Sequence, residues 1–423
     1  MNKWGKAAAA ALLGLTVAGG AGAGHAGATA AGDIRVILDD VPISLGLAPV
    51  IANNSTMVPF RALAQALGIR VTWNGEAKSV HARGIVDGEE RNVVLRLGQR
   101  IAEVDGQPVE MLAAPLIVNN QVLIPLKFFG TQFGARVGWN AQTRTVTVVS
   151  PVKDMHLRAF YALGSFAQRD RISAMNSVAF GWARIDDKGE LTFSGADYYW
   201  PAPAAEATPE ELVRNAAEQG IDPYLMVYAV DGKGELTKML SDDALRAASI
   251  DGIAKTVAEK GFAGVLLDFE GLGLHLDPAG QQKLLNDYVA ELVPRLKPLG
   301  VKLSLAVPPP NGYYKGYDYR TLAAHAEDLV LMAYDYHPKG TPERTPEPNG
   351  KVAEAIEGML AAGVPADRLV LGINLWSESP TTVDDKLGLA KRYGLKGASF
   401  WRLTFYGDEF AAAIDQTVRK AGE

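Results

Sequence analysis

Asp268 and Glu270 stand two residues apart at the end of an apolar run, Val265-Leu266-Leu267-Asp268-Phe269-Glu270. In an extended strand, residues i and i+2 point to the same face, so both carboxyls are aimed together. Such a pair is either an acid and its helper or a solvated strand end. The run before them carries no other polar side chain, which favours a buried strand that ends at a site.

A second cluster follows another apolar run: Met332-Ala333-Tyr334-Asp335-Tyr336-His337. It offers a phenol, a carboxyl and an imidazole within four positions. A lone His at a strand end is as a rule a structural hydrogen-bonding group, with a direct role as the alternative. Trp182, Tyr228, Asn374 and Trp376 fall at or near the ends of other apolar runs, where they either reach substrate or pack at a rim. The six histidines include no i, i+4 pair and no His-x-His, so no metal site is visible and no cofactor is expected. Cysteine is absent, which excludes disulfides, thiolate catalysis and Cys-ligated metals.

Eight short apolar runs recur from Met155 onward: LRAFYALGS, SVAFGWARI, PYLMVYAV, FAGVLLDFE, VKLSLAVPP, DLVLMAYDYH, RLVLGINLW and GASFWRL. Amphipathic stretches such as DDALRAASIDGIAKTVAEK and AGQQKLLNDYVAELVPRLK lie between several of them. Apolar runs without strict alternation, separated by helices, indicate parallel strands buried on both faces. Eight of them over about 270 residues is the size of a closed α/β (β/α)8 barrel, with the ends of the strands at its mouth. An open doubly wound sheet is the alternative, but FYALGSFAQ is a poor phosphate turn after a first strand. The polar, Pro-rich segment PKGTPERTPEPNG, 338–350, reads as a loop at the mouth.

Residues 33–150 read differently. MVPFRALAQALGIRVTWN from Met57 returns as LIPLKFFGTQFGARVGWN from Leu123, an offset of 66 (123 − 57). The offset holds for Pro59 and Pro125, Gly68 and Gly134, Trp73 and Trp139, and upstream for Asp39 and Asp105. This predicts a smaller N-terminal α+β domain made of two internal repeats. Trp73 and Trp139 are either repeated core aromatics or sugar-stacking platforms.

The chain has 423 residues, a formal net charge of −6 and no Lys/Arg cluster, which argues against nucleic acid as a partner. Residues 1–30 combine Lys3 and Lys6, a Gly-diluted apolar stretch and the small-x-small Ala28-Thr29-Ala30, the pattern of a secretory signal peptide. An uncleaved N-terminal anchor is the alternative. The expected localisation is secreted or cell-surface associated, and the missing cysteines suit a bacterial surface.

Residues 262–270 resemble the strand-four signature of glycoside hydrolase family 18, Asp-Gly-x-Asp-x-Asp-x-Glu. MAYDYH resembles that family's strand-six Met-x-Tyr-Asp, LGINLW its strand seven, and GASFWRL its strand eight ending near the Trp that floors the sugar site. The likeness covers 155–423 and is nearest to the spore and cell-wall lytic subgroup. Residues 33–150 resemble the copper amine oxidase N-terminal, or stalk, domain; nothing in them supports copper binding or amine oxidation.

The resemblance implies a glycosidase with Glu270 as general acid, its pKa raised by burial and by Asp268. It implies that Asp268 orients the substrate's 2-acetamido group, whose oxygen attacks the anomeric carbon. Tyr334 would donate to that oxygen, with Asp335 beside it and Trp401 stacked under the sugar. Met332, Tyr336 and Trp376 are further expected substrate contacts. The glycan must then be N-acetylated, as peptidoglycan and chitin are; the stalk-like domain and exported context favour peptidoglycan and suggest attachment to the cell wall. The match departs at Ala263 and Leu266, where the family carries acids. Leu266 cannot share a proton with Asp268, so a catalytically impaired barrel that only binds cell-wall glycan is the alternative reading.

Overall fold

The computed structural model describes residues 29–30 and 34–422, apart from 87, 163, 205–206, 275 and 343. The leader read over 1–30 lies outside these, except that the backbone of 29–30 pairs with Val50 and Ile51.

Eight parallel strands close into a barrel: Lys153–Tyr161, Ser177–Ile185, Asp222–Val230, Gly264–Glu270, Lys302–Val307, Asp328–Met332, Leu369–Asn374 and Gly397–Trp401. Closure is direct, because Arg158 of the first strand lies opposite Ser177 of the second and Ser399 of the eighth. Helices cover the outside, and their starts follow from capping chemistry. Thr208 and Glu211 form a capping box ahead of Pro209–Glu218, while Asp242 and Asp277 cap Asp243–Lys260 and Pro278–Leu296.

The barrel interior is layered. At the bottom, Arg158 and Asp328 form a two-pronged ion pair at 2.8 and 3.2 Å, both fully buried, and Ser304 and Lys396 also bond Asp328. Burial opposes ionisation of Asp328, but Arg158 and Lys396 hold its pKa below the usual carboxylate range. Tyr224 lays its ring on the Arg158 guanidinium, 4.6 Å away. A Cβ at Gly264 would collide with that ring, which is why strand four begins with glycine. The middle layer is apolar: Phe160, Ala179, Met226, Leu266, Ala306, Val330 and Val370. Polar groups return only at the mouth.

The N-terminal domain is mostly strand with two short helices. Strands Val50–Ala52 and Ser55–Pro59 are joined by Asn53-Asn54, and Leu116–Val118 and Gln121–Pro125 by Asn119-Asn120. All four asparagines have positive φ, the conformation of a two-residue hairpin turn. Phe60–Ala66 and Leu126–Gln132 are the helices, and Gly68 and Gly134 in left-handed conformation end them. Strand Glu89–Arg96, not expected from the sequence, joins the hairpin of Arg70–Asn74 and Ser79–Val86. Trp73 is half-buried against the core of this domain, whereas Trp139 is 50% exposed.

The domain docks on the barrel helix Pro380–Arg392. Arg392 donates to the carbonyls of Leu38 and Val41 at 2.9 and 3.0 Å, and Val41 joins the barrel's own core cluster. Among the described residues no helix is long and apolar enough to cross a membrane.

Candidate active site

Strand four carries the site by simple alternation. Val265, Leu267 and Phe269 pack outward under the helices, while Leu266 belongs to the interior layer and Asp268 and Glu270 continue its face toward the mouth. Beyond Glu270 the chain turns at Gly271, with φ +86. Tyr317 anchors this corner, its hydroxyl donating to the Phe269 carbonyl at 2.7 Å.

Asp268 is 4% exposed and Glu270 half-buried above it. As two carboxylates neither can donate, and Asp268 Oδ1 has no hydrogen-bond partner. With one proton between them the two side chains hydrogen-bond to each other. Burial raises Asp268 well above the usual range, and the charge of Glu270 adds to this. Burial also pushes Glu270 up to about 7, helped by the charge of Asp335 and offset by its bond to Asp268. A neutral carboxylic acid is therefore present near neutral pH where a proton donor is wanted.

Phenols surround the pair. Tyr228 lies opposite Asp268 across strands three and four, and Tyr198 stacks on it with centroids 4.1 Å apart. Burial, and then the nearby carboxylates, raise the pKa of Tyr198, Tyr228 and Tyr334, so all three stay neutral. These three rings and Trp401 pack on the layer that holds Leu266. Gly372 lets strand seven pass close to strand six below Tyr334: a Cβ there would lie 2.7 Å from the Leu331 carbonyl.

A cleft of ≈ 540 Å³ opens over Glu270. Its walls are Glu270 with Met332, Tyr334, Asp335, Tyr336 and His337 on one side and the Pro308–Tyr314 loop on the other. Tyr336 bridges the two walls by donating to Asn311 Oδ1 at 3.1 Å. His337 reaches the Pro346 carbonyl at 3.0 Å through Nε2, a structural bond. A larger hollow of ≈ 740 Å³ lies in the N-terminal domain beside Trp139, but Glu110 is the one acid on its wall. Of these two hollows, the one at the barrel mouth carries two acids, Glu270 and Asp335.

The structure gathers Glu270, Tyr334, Asp335, Tyr336 and Met332 around one cleft, with Asp268 buried beneath Glu270 and Trp401 packed on the interior layer, neither lining the cleft. Trp376 does not line that cleft; it packs on Phe405 at 5.1 Å and under Arg344 at 4.4 Å. Trp182 is wholly buried between Phe180 and Trp200 and takes the packing role. Two features escaped the sequence reading. Tyr198 lies in the excursion after strand two, and Glu347 lies in the loop read as a polar mouth loop. Among the described residues no group of three or more His, Cys, Asp or Glu is placed to hold a metal.

The family model described as Glycosyl hydrolases family 18 matches residues 158–392, more than half of the chain. The chain belongs to glycosyl hydrolases family 18. The model described as Copper amine oxidase N-terminal domain matches residues 37–148. Among curated relatives, YdhD of Bacillus subtilis (strain 168) is 27% identical over 143 residues, 33% of each chain. The cortical fragment-lytic enzyme of the same strain is 26% identical over 144 residues, 33% of this chain and 32% of that one. The chain thus spans about a third of the length of the curated relatives it matches. Among solved structures, the Bacillus cereus spore cortex-lytic enzyme SleL superposes with a TM-score of 0.53 at 15% identity, covering 65% of this chain and 77% of that one. A Chromobacterium violaceum chitinase gives a TM-score of 0.51 at 21% identity, covering 62% and 98%. These likenesses carry the barrel fold and nothing finer.

Proposed function

We propose that this family 18 barrel is a retaining glycoside hydrolase that cleaves β-linked N-acetylated glycans, peptidoglycan in preference to chitin. The observation that carries the reading is the stacked carboxyl pair, with Glu270 on the wall of an open cleft and Asp268 buried beneath it, where burial pushes the Glu270 pKa up to about 7.

Asp268 supports the substrate-assisted course. It is buried below Glu270 and does not line the cleft, which suits a helper rather than a nucleophile. The substrate's own acetamido oxygen is the nucleophile in this reading. Glu270 gives its proton to the glycosidic oxygen as the C–O bond breaks. The acetamido oxygen of the same sugar bonds to the anomeric carbon and forms a five-membered cyclic cation. With the proton gone both members of the pair are carboxylates, and the charge of Asp268 stabilises that cation, while neutral Tyr334 donates to the acetamido oxygen. Glu270, now a carboxylate, removes a proton from water; the water oxygen bonds to the anomeric carbon and the acetamide re-forms. Both displacements invert, so the anomer is retained. Trp401 offers its ring face to the sugar, and Met332 and Tyr336 line its approach.

Peptidoglycan is favoured because the curated relatives include a cortical fragment-lytic enzyme and because the N-terminal domain suits a protein held at a cell wall. We place the protein outside the cytoplasm, with 1–30 as its leader, 33–150 as the attachment domain and 155–423 as the hydrolase. The glycan-binding alternative rests on Leu266. The neutral phenols around Asp268 and the raised acid at Glu270 support turnover instead.

The test compares the chain with Glu270→Gln on muropeptide-bearing glycan strands and on chito-oligosaccharides, counting new reducing ends by mass spectrometry. Turnover that disappears in the variant supports the reading. Glycan bound by both proteins and cleaved by neither would turn it to the binding protein.

A further inference from the structure

The loop after strand six holds an unusual arrangement. Asp335 adopts the left-handed conformation, φ +64, a strained one for a residue with a side chain though Asp tolerates it better than most. Its backbone is held there by Glu347, twelve residues on and 5% exposed. Its carboxylate accepts from the backbone N–H of Asp335 at 3.0 Å and of Tyr336 at 3.2 Å. Glu347 is itself held: its N–H donates to Glu378 Oε1 at 3.1 Å, and the Lys386 ammonium lies 3.4 Å from Glu378 Oε2. Glu378 and Lys386 are both buried, and Lys386 also donates to Asn349 Oδ1 at 2.7 Å. A buried carboxylate with two backbone donors and a buried ion pair behind it is costly to assemble unless it holds something in place.

We infer that Glu347, backed by Glu378 and Lys386, is a positioning residue that clamps the Asp335 backbone and so keeps the Asp335 carboxylate beside Glu270. The inference rests on the reading of Glu270 as the proton donor. Its consequence is electrostatic. The groups that face Glu270 are Asp268 on its own strand, Asp335 and Tyr334 beyond strand six, Tyr228 on strand three, Tyr198 on the excursion after strand two and Tyr317 beneath the corner, with His337 and Lys351 on the wall of the same cleft. The phenols are neutral and the bond to Asp268 lowers the Glu270 pKa, so after burial the Asp335 charge is the neighbour that keeps the acid protonated. Without the clamp, the exposed Asp335 carboxylate swings toward water, its repulsion fades and Glu270 becomes a stronger acid.

In Glu347→Gln the amide keeps one acceptor and sets its own NH2 against the second backbone donor. We expect the Glu270 ionisation, followed by 13C NMR of carboxyl-labelled protein and assigned with Glu270→Gln, to move down by about half a unit to one unit. The alkaline limb of kcat/KM should move down with it. Glu378→Gln, which leaves Glu347 in place, should shift both in the same direction by less, and it carries the test if Glu347→Gln does not fold. Adding Glu347→Gln to Asp335→Asn should move neither any further, because the effect passes through Asp335. An unmoved Glu270 titration in a folded variant overturns the inference, as does a full additional shift in the double variant. The NMR titration needs no turnover, so a wild-type chain silent on every glycan would sink the functional reading while the clamp is still judged by the spectra.

Discussion

Asp268 lies directly beneath Glu270 on one face of strand four, and the lower carboxyl is the more deeply buried of the two. This stacking fixes which group can meet a sugar and which can only act through its neighbour. It also makes the pair expensive to ionise fully, and several outcomes follow from that.

The first concerns pH. Glu270 has its folded pKa raised to about 7, so the proton-donating form prevails below that value and is lost as pH rises through it. kcat/KM should therefore fall on the alkaline side with a midpoint near 7. The same sign applies to stability. A carboxyl raised by burial stabilises the fold fully below its unfolded pKa, and that stability is lost as pH rises through its folded pKa. Glu270→Gln should accordingly lose activity by about 10²–10⁴-fold yet melt at a higher temperature than the wild type at pH 8.5, with the gap closing at pH 5. Thermal melts at the two pH values check this.

Leu266 stands where the family motif has an acid. It is fully buried in a layer of Phe160, Ala179, Met226, Ala306, Val330 and Val370, with the rings of Tyr198, Tyr228 and Tyr334 packed on it. Leu266→Asp should cost about 3 kcal/mol or more in a urea melt, because the new carboxyl is taken wholly out of water and set beside the already protonated Asp268 and Glu270 pair. It should bring no gain in turnover. A variant as stable as the wild type and faster would show that Asp268 lacks a partner it needs.

At the opposite end of the barrel, Asp328 anchors Arg158, Ser304 and Lys396. Asp328→Asn leaves the Arg158 charge buried and uncompensated, at a cost of about 3–5 kcal/mol near pH 7. The folded pKa of Asp328 is depressed, so its contribution is present above the ordinary carboxylate range and is lost as pH falls below it. Denaturant midpoints for wild type and variant should converge in acid.

The barrel was legible because its strands are buried on both faces: runs such as Ser177–Ile185 and Leu369–Asn374 need no periodicity argument beyond continuous apolarity. Asp268 and Glu270 were legible because they break such a run at its end. Glu347 was not. A glutamate among prolines in PKGTPERTPEPNG reads as solvated, and only the fold turns it inward onto the backbone of Asp335. Tyr198 was hidden likewise, because its place on Tyr228 depends on how the excursion after strand two folds back. Trp376 shows the converse: an aromatic at a strand end near the mouth found Phe405 and Arg344 rather than the cleft.

The central claim is that the nucleophile belongs to the substrate. Its most direct test offers the purified chain two matched glycans, one N-acetylated throughout and one de-N-acetylated at the sugar on the non-reducing side of the scissile bond, with products counted by mass spectrometry. The account predicts cleavage of the acetylated glycan alone, with intact binding of both. Equal cleavage of the two would contradict it and require a protein nucleophile in the cleft.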